Sequence, residues 1–168
     1  MSMRTAAVLT VSDSRARGER TDHSGPATAA LLRQEGFEVS YQEIVADDRA
    51  AIESALVRWS EQVQLIVTTG GTGIADRDVT PEATRAVCSK LIPGIAEKMR
   101  AEGTVNTPYA LLSRGICGVR ARTLILNLPG SPTGASESLL AVIDILPHAI
   151  DLLAGKTVHD DAHPANQG

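Results

Sequence analysis

Aromatic side chains are nearly missing from this sequence: one Trp, two Tyr and one Phe among 168 residues. Proteins that hold single-stranded nucleic acid stack bases on aromatic platforms, and this chain has too few rings to build one. Excess positive charge is missing too. The formal net charge is −4 and the pI about 5.5, the wrong sign for an electrostatic footprint on a polyanion. No nucleic-acid partner is expected. Cysteine is scarce: Cys88 and Cys117 have no CxxC spacing and no nearby His pair. A structural zinc is therefore not expected, and isolated thiols fit a cytoplasmic setting. No stretch nears the ~18 uncharged apolar residues of a membrane span. Nor does a basic start open into the apolar segment of a secretory signal.

Apolar residues make up 43% of the chain, and with so few aromatics they are mainly Ala, Val, Leu and Ile. Such a composition suits a packed parallel sheet. A chain of this length fits one domain burying roughly two-thirds of its unfolded surface. Residues 1–155 are expected to form that domain and 156–168 a polar tail. Thirteen Arg stand against three Lys. Arg grips phosphates and carboxylates bidentately, so the bias favours an anionic small ligand, although genome composition produces the same bias.

Strand-like and helix-like segments alternate along the chain. RTAAVLTVS at 4–12 reads as a strand and is followed by a polar loop, SDSRARGERTDHSG. A helix is expected over GPATAALLRQEG, with Ser24 near its cap and Gly36 past its end. EVSYQEIV at 38–45 is a second strand. In ADDRAAIESALVRWSEQ, Ile52, Leu56, Trp59 and Val63 recur at helical spacing, with Asp47 or Asp48 as N-cap. VQLIVTT is the most buried strand, and Thr80-Pro81-Glu82 opens another helix with Thr80 as cap. A Pro- and Gly-punctuated middle leads to a hairpin-like GICGVRARTLILNLPG and a helical region over 133–154 broken at Pro147. The expected fold is a three-layer α/β/α sandwich with a mainly parallel sheet.

In open parallel sheets ligands bind outside the carboxyl ends of the strands. Those ends present Ser12-Asp13, Asp47-Asp48, Gly70-Gly71-Thr72-Gly73 with Asp76 and Asp78, and Asn127-Leu128-Pro129-Gly130-Ser131-Pro132. Each also has a plainer role open to it. The glycines could serve a tight turn alone, Asp47 could be only a cap, and Pro129–Pro132 only a strand-to-helix turn. Gly130 also permits close ligand approach, and Ser131 offers a hydroxyl at a helix start. Arg15, Arg17 and Arg20 form a solvated loop or close over a ligand. His159, Asp160, Asp161 and His163 look like metal ligands by composition, but such groups on polar tails usually arise by chance.

The set VLTVSDSR…DHSG, IVADDRAAI, IVTTGGTGIADRDVTPEAT and LILNLPGSPTG resembles the molybdopterin adenylyltransferases of molybdenum-cofactor biosynthesis, over nearly the whole chain. The resemblance implies a molybdopterin-binding-domain-like fold assembled as a homotrimer. It also implies Mg²⁺-dependent transfer of AMP from ATP to the terminal phosphate of molybdopterin. Pyrophosphate is released, and the adenylated pterin passes to a molybdenum insertase. The family's two functional aspartates fall at Asp47 and Asp78, which would hold the metal. Ser12, Asp13, Gly70, Gly71, Thr72, Gly73, Asn127, Pro129, Gly130, Ser131 and Pro132 would bind nucleotide and pterin. The alternative is a non-catalytic molybdopterin-binding protein of the same fold. Because a phosphate nucleophile is already anionic, a set of candidate site residues that contains no His is consistent with this chemistry.

Overall fold

The computed structural model describes residues 2–156. Six strands form one sheet: β1 (Arg4–Val11), β2 (Phe37–Val45), β3 (Leu65–Thr69), β4 (Lys90–Leu91), β5 (Cys117–Arg120) and β6 (Thr123–Leu128). Their spatial order is β2-β1-β3-β6-β5-β4. Strands β2, β1, β3 and β6 are parallel. Strand β5 runs antiparallel to both β6 and β4. The hairpin expected from GICGVRARTLILNL is therefore present, because only two residues separate β5 from β6 and parallel pairing would need a long crossover.

Alternation along the strands builds two cores. In β1, Ala6 and Val8 face one side while Ala7, Leu9 and Val11 face the other. The first face is covered by α2 (Ser24–Gln34), α5 (Pro93–Gly103), α6 (Pro132–Val142) and α7 (Leu146–Leu153). The second is covered by α3 (Arg49–Ser60) and α4 (Thr80–Val87). The result is three layers. Every residue of β3 and β6 is buried, as expected for strands covered on both faces.

The crossovers fix where a site can form. Helix α2 leads from β1 to β2 on one face, and α3 returns on the other face to β3. Strand β1 thus has β2 on one side and β3 on the other. Where strand order reverses, the connections leave in opposite directions and open a crevice at the carboxyl ends.

Several boundaries depart from the sequence expectation. Thr80 is the first residue of α4 rather than its cap, which is Val79; the Thr80 hydroxyl donates to Gly70 O at 3.0 Å. The polar loop after β1 begins with a short helix, α1 (Asp13–Ala16), capped by Ser12. The punctuated middle holds α5 and a 3₁₀ turn, Pro108–Leu112. The last helical region breaks before Pro147, which sits in the first turn of α7, where its missing N–H costs nothing.

Asn127, grouped by sequence with the binding residues, is 1% exposed. Its amide donates to the hydroxyls of Thr68 at 3.1 Å and Thr84 at 2.9 Å, and its carbonyl accepts from Ile116 N at 3.2 Å. The side chain thus ties β6 to β3, α4 and the approach to β5. Replacing it with Leu keeps the volume but strands two buried hydroxyls and the partly buried Ile116 amide. Asn127→Leu should cost about 3 kcal/mol and lower the melting temperature by roughly 6–12 °C. An unchanged calorimetric melting temperature would show that Asn127 is not part of this frame.

Candidate active site

The carboxyl ends of β1, β2, β3 and β6 open into two adjoining clefts. One, of about 400 Å³, is polar, with Ser12, Asp13, Asp47, Arg15, Arg20 and Arg77 among its walls. The other, of about 420 Å³, is more apolar, with Thr107, Tyr109, Leu112 and Ser113 on its outer side. A ridge of Gly71, Asp78, Gly130 and Ser131 borders both.

The glycine loop draws its geometry from packing between strand ends. Gly70 has φ +103° and Gly71 φ +67°, a backbone region costly for other residues. A Cβ on Gly70 would collide with Val11 O, and one on Gly71 with the Thr80 hydroxyl. Gly130 lies against Gly70, so that a Cβ there would sit 3.3 Å from its Cα. Gly70 N donates to Leu128 O at 3.1 Å, and the Thr69 hydroxyl donates to Pro129 O at 2.7 Å. The β3 and β6 ends are thereby pulled together, and the ridge between the clefts stays thin.

The adjacent aspartates separate cleanly. Asp48 caps α3, its carboxylate accepting from Ala51 N at 2.8 Å. Asp47 instead faces the polar cleft and exchanges hydrogen bonds with Asp13. Asp13 N donates to Asp47 Oδ2 at 3.0 Å, and Asp47 N donates to Asp13 Oδ1 at 2.9 Å. Asp78 is fixed similarly, its Oδ2 accepting from Ala75 N at 3.0 Å. Partial burial pushes the Asp47 carboxyl above its ordinary pKa. The nearby charges of Asp13 and Asp78 push it further, against the Asp13 amide and Arg77, which favour ionisation. Like charges thus lie close enough to feel one another, a circumstance a divalent cation relieves.

Of the sequence-derived residues, Ser12, Asp13, Asp47, Gly70, Gly71, Asp78, Gly130 and Ser131 border the polar cleft. Thr72, Gly73 and Pro129 border only the apolar one. Pro132, Asp76 and Asn127 line neither cleft. Pro132 opens α6 behind Ser131, whose hydroxyl caps that helix through Gly134 N at 3.1 Å. Arg15, Arg17 and Arg20 all reach the polar cleft, so the basic loop is part of its wall. Sequence motifs did not single out Arg77, Tyr109 or Ser113. Arg77 lies inside the DRD stretch and was findable; the other two belong to a loop brought in only by tertiary packing. The tail residues His159, Asp160, Asp161 and His163 lie outside the described residues.

Among the described residues no three His, Cys, Asp or Glu side chains are grouped as a metal cage. Asp47 and Asp78 nevertheless offer hard oxygen donors, each with a backbone amide orienting one oxygen. That donor set fits Mg²⁺, which takes few protein carboxylates and completes its shell with water and phosphate.

A family model described as "Probable molybdopterin binding domain" matches residues 7–148. The chain is 44% identical over 153 residues to a molybdopterin adenylyltransferase of Helicobacter pylori, covering 88% of this chain and 86% of that protein. It is 41% identical over 152 residues to the molybdenum cofactor synthesis protein cinnamon of Drosophila melanogaster, covering 89% of this chain but 25% of that longer protein. Among solved structures, the molybdopterin biosynthesis enzyme MoaB of Thermus thermophilus superposes with a TM-score of 0.86 at 51% identity, covering 92% of this chain and 98% of that one. The parallel sheet, its switch-point crevice and these matches agree: the chain belongs to the molybdopterin-binding domain family of molybdenum-cofactor biosynthesis.

Proposed function

We propose that the chain is a molybdopterin adenylyltransferase that transfers AMP from ATP to the terminal phosphate of molybdopterin. The observation that carries this beyond family membership is the pair of clefts meeting at one ridge. Two substrates need two volumes, and their reacting phosphates need one shared border. The polar cleft, with its arginines and hydroxyls, suits phosphate groups. The apolar cleft, with Tyr109 and Leu112, suits a flat heterocycle.

In the reaction a phosphate oxygen of molybdopterin attacks the α-phosphorus of ATP. A new P–O–P link forms as the bond to the β-phosphate breaks, and the electron pair leaves with pyrophosphate. No proton need be removed from the nucleophile, so positioning and charge neutralisation do most of the work. Asp47 and Asp78 would hold Mg²⁺, directly or through waters, and the bound ion would neutralise phosphate oxygens. Arg15, Arg20 and Arg77 would supply further positive charge, and the amides near Gly71, Gly130 and Ser131 would donate to phosphate. A cytoplasmic setting suits the two free thiols. In the cinnamon protein the matching stretch occupies a quarter of a longer chain, which supports hand-over of product to a molybdenum-inserting domain or partner.

Pyrophosphate release measured with and without molybdopterin tests the assignment. Release should require both ATP and molybdopterin and should stop in EDTA and return with Mg²⁺. Binding of molybdopterin without pyrophosphate release would instead identify a sequestering protein, and turnover unaffected by the chelator would remove the metal role.

Loss of either aspartate should cost turnover rather than the fold, and Asp47 adds a pH dependence of stability. Asp78→Asn should lower turnover about a hundredfold, roughly 2.7 kcal/mol, with the fold intact. Asp47→Asn should also lower turnover, yet it should not destabilise the protein at neutral pH. The folded-state pKa of Asp47 lies above its unfolded value, so protonation favours the fold. That contribution is complete below about pH 4 and is lost as pH rises through the folded value. The melting temperature of Asp47→Asn relative to wild type should therefore be more favourable at pH 7 than at pH 4. A mutant less stable than wild type at pH 7 would contradict the raised pKa that burial and the neighbouring charges give Asp47.

Homotrimer formation is proposed from the family resemblance, and exposed Leu140 and Leu152 on the last two helices, with Ile145 between them, offer apolar surface for it. Multi-angle light scattering should return three chains per particle, and a monomer at micromolar concentration would reject it.

A further inference from the structure

Arg114 has no place in the motifs that mark the site, and it lines neither main cleft. Its guanidinium nonetheless holds both ends of the loop that carries Asp78. Nε donates to Gly73 O at 2.8 Å and Nη2 to Asp78 O at 2.7 Å. Nη1 donates to Glu82 Oε1, and this hydrogen bond holds the Glu82 carboxyl below its usual pKa. Glu82 lies in the first turn of α4, so the cation joins the loop to the helix that follows it.

We propose that Arg114 is a positioning residue for Asp78: it closes the 73–78 loop from behind and locks the ridge to the wall of the apolar cleft. Within the loop, Asp78 N donates to Ala75 O at 2.9 Å and Asp78 Oδ2 accepts from Ala75 N. These bonds set the shape of the turn, while the bonds from Arg114 set where the turn sits. Ala75, Asp76 and Arg77 are exposed, so no core packing does that job. The segment bearing Arg114 follows the 3₁₀ turn whose Tyr109 and Leu112 wall the apolar cleft. One planar fork therefore spans the loop, α4 and that wall, which a lysine ammonium cannot reproduce.

The backbone at Arg114 is anchored independently of its side chain. Arg114 N donates to Thr72 O at 2.8 Å, and Arg100 on α5 donates to Ser113 O at 3.3 Å and Gly115 O at 2.9 Å. Losing the guanidinium should therefore loosen the loop and leave the fold.

The proposal rests on AMP transfer as the reaction, and its test has one arm that does not. Arg114→Lys is compared with wild type by amide hydrogen exchange, thermal melting and steady-state kinetics, alone and combined with Asp78→Asn. Exchange over residues 73–78 should rise about tenfold, the effect of losing one or two net hydrogen bonds, while the strand amides stay protected. Turnover should fall about tenfold or more with KM for ATP little changed. In the Asp78→Asn background the same substitution should have almost no further effect, because Arg114 acts through Asp78. Glu82→Gln, which leaves both carbonyl bonds, should fall between Arg114→Lys and wild type in each measurement. Unchanged exchange over 73–78 would overturn the proposal whether or not the wild type transfers AMP. A turnover loss that multiplies with Asp78→Asn would overturn it as well. Absence of AMP transfer in wild type defeats the functional assignment instead, and exchange alone then decides whether Arg114 orders the loop.

Discussion

Close approach of two backbones, Gly70 against Gly130, is the constraint from which the site follows. The parallel ladder brings β3 and β6 to the same edge, where a Cβ at Gly130 would press on Gly70 Cα and one at Gly70 would strike Val11 O of β1. With glycine there, the strand ends converge until Gly70 N reaches Leu128 O and the Thr69 hydroxyl reaches Pro129 O. The ridge is consequently no thicker than a pair of turns. The clefts on either side of it therefore adjoin, sharing Gly71, Asp78, Gly130 and Ser131. A bulkier turn would hold the two clefts apart. What the glycines do in the structure is permit this convergence.

On that ridge, at Asp78, and along the polar cleft beside it, at Asp13 and Asp47, the chain places carboxylates whose positions are fixed by main-chain amides. Asp13 and Asp47 bond each other's backbone, so α1 and the start of α3 are clasped across the switch point. Each aspartate uses one oxygen for the fold while bordering the cleft. The cost appears as the raised pKa of Asp47, a charge held partly out of water beside like charges. Sites built to receive a cation and phosphates commonly carry such unfavourable pairs, which the ligands then relieve.

What could be read from the sequence divides along the range of the interactions. Strand alternation and the Gly- and Pro-rich breaks are local, so the layers, the hairpin and the carboxyl-edge location of the motifs were legible. Choosing between Asp47 and Asp48 was not, because both follow a strand and precede a helix. Only the Asp13 clasp, which links residues 34 apart in sequence, assigns Asp47 to the cleft and leaves Asp48 the cap. Asn127 misled for a related reason. It sits in a motif at a strand end, yet its side chain points among Thr68, Thr84 and the Ile116 amide. Motif membership marks the neighbourhood of a site and does not say which way a side chain turns. Tyr109 and Arg114 were invisible because a 3₁₀ turn and an irregular segment carry them in from beyond α5.

The scarcity of aromatic rings bears on how this frame tolerates its charges. Stability comes from aliphatic side chains on strands buried on both faces, with Leu65, Ile66, Leu124, Ile125 and Leu126 all fully buried. Each such side chain stabilises by about 2 kcal/mol, and they lie in the middle of the sheet, away from the carboxyl edge. Substitutions at the edge therefore alter charge and hydrogen bonding without opening cavities in the core. The polar network of Asn127 sits between these two zones and couples them through β3 and α4. The core determines that the strand ends converge. The edge determines what they hold once they do, and a fold divided in this way lets binding chemistry change while its frame stays the same.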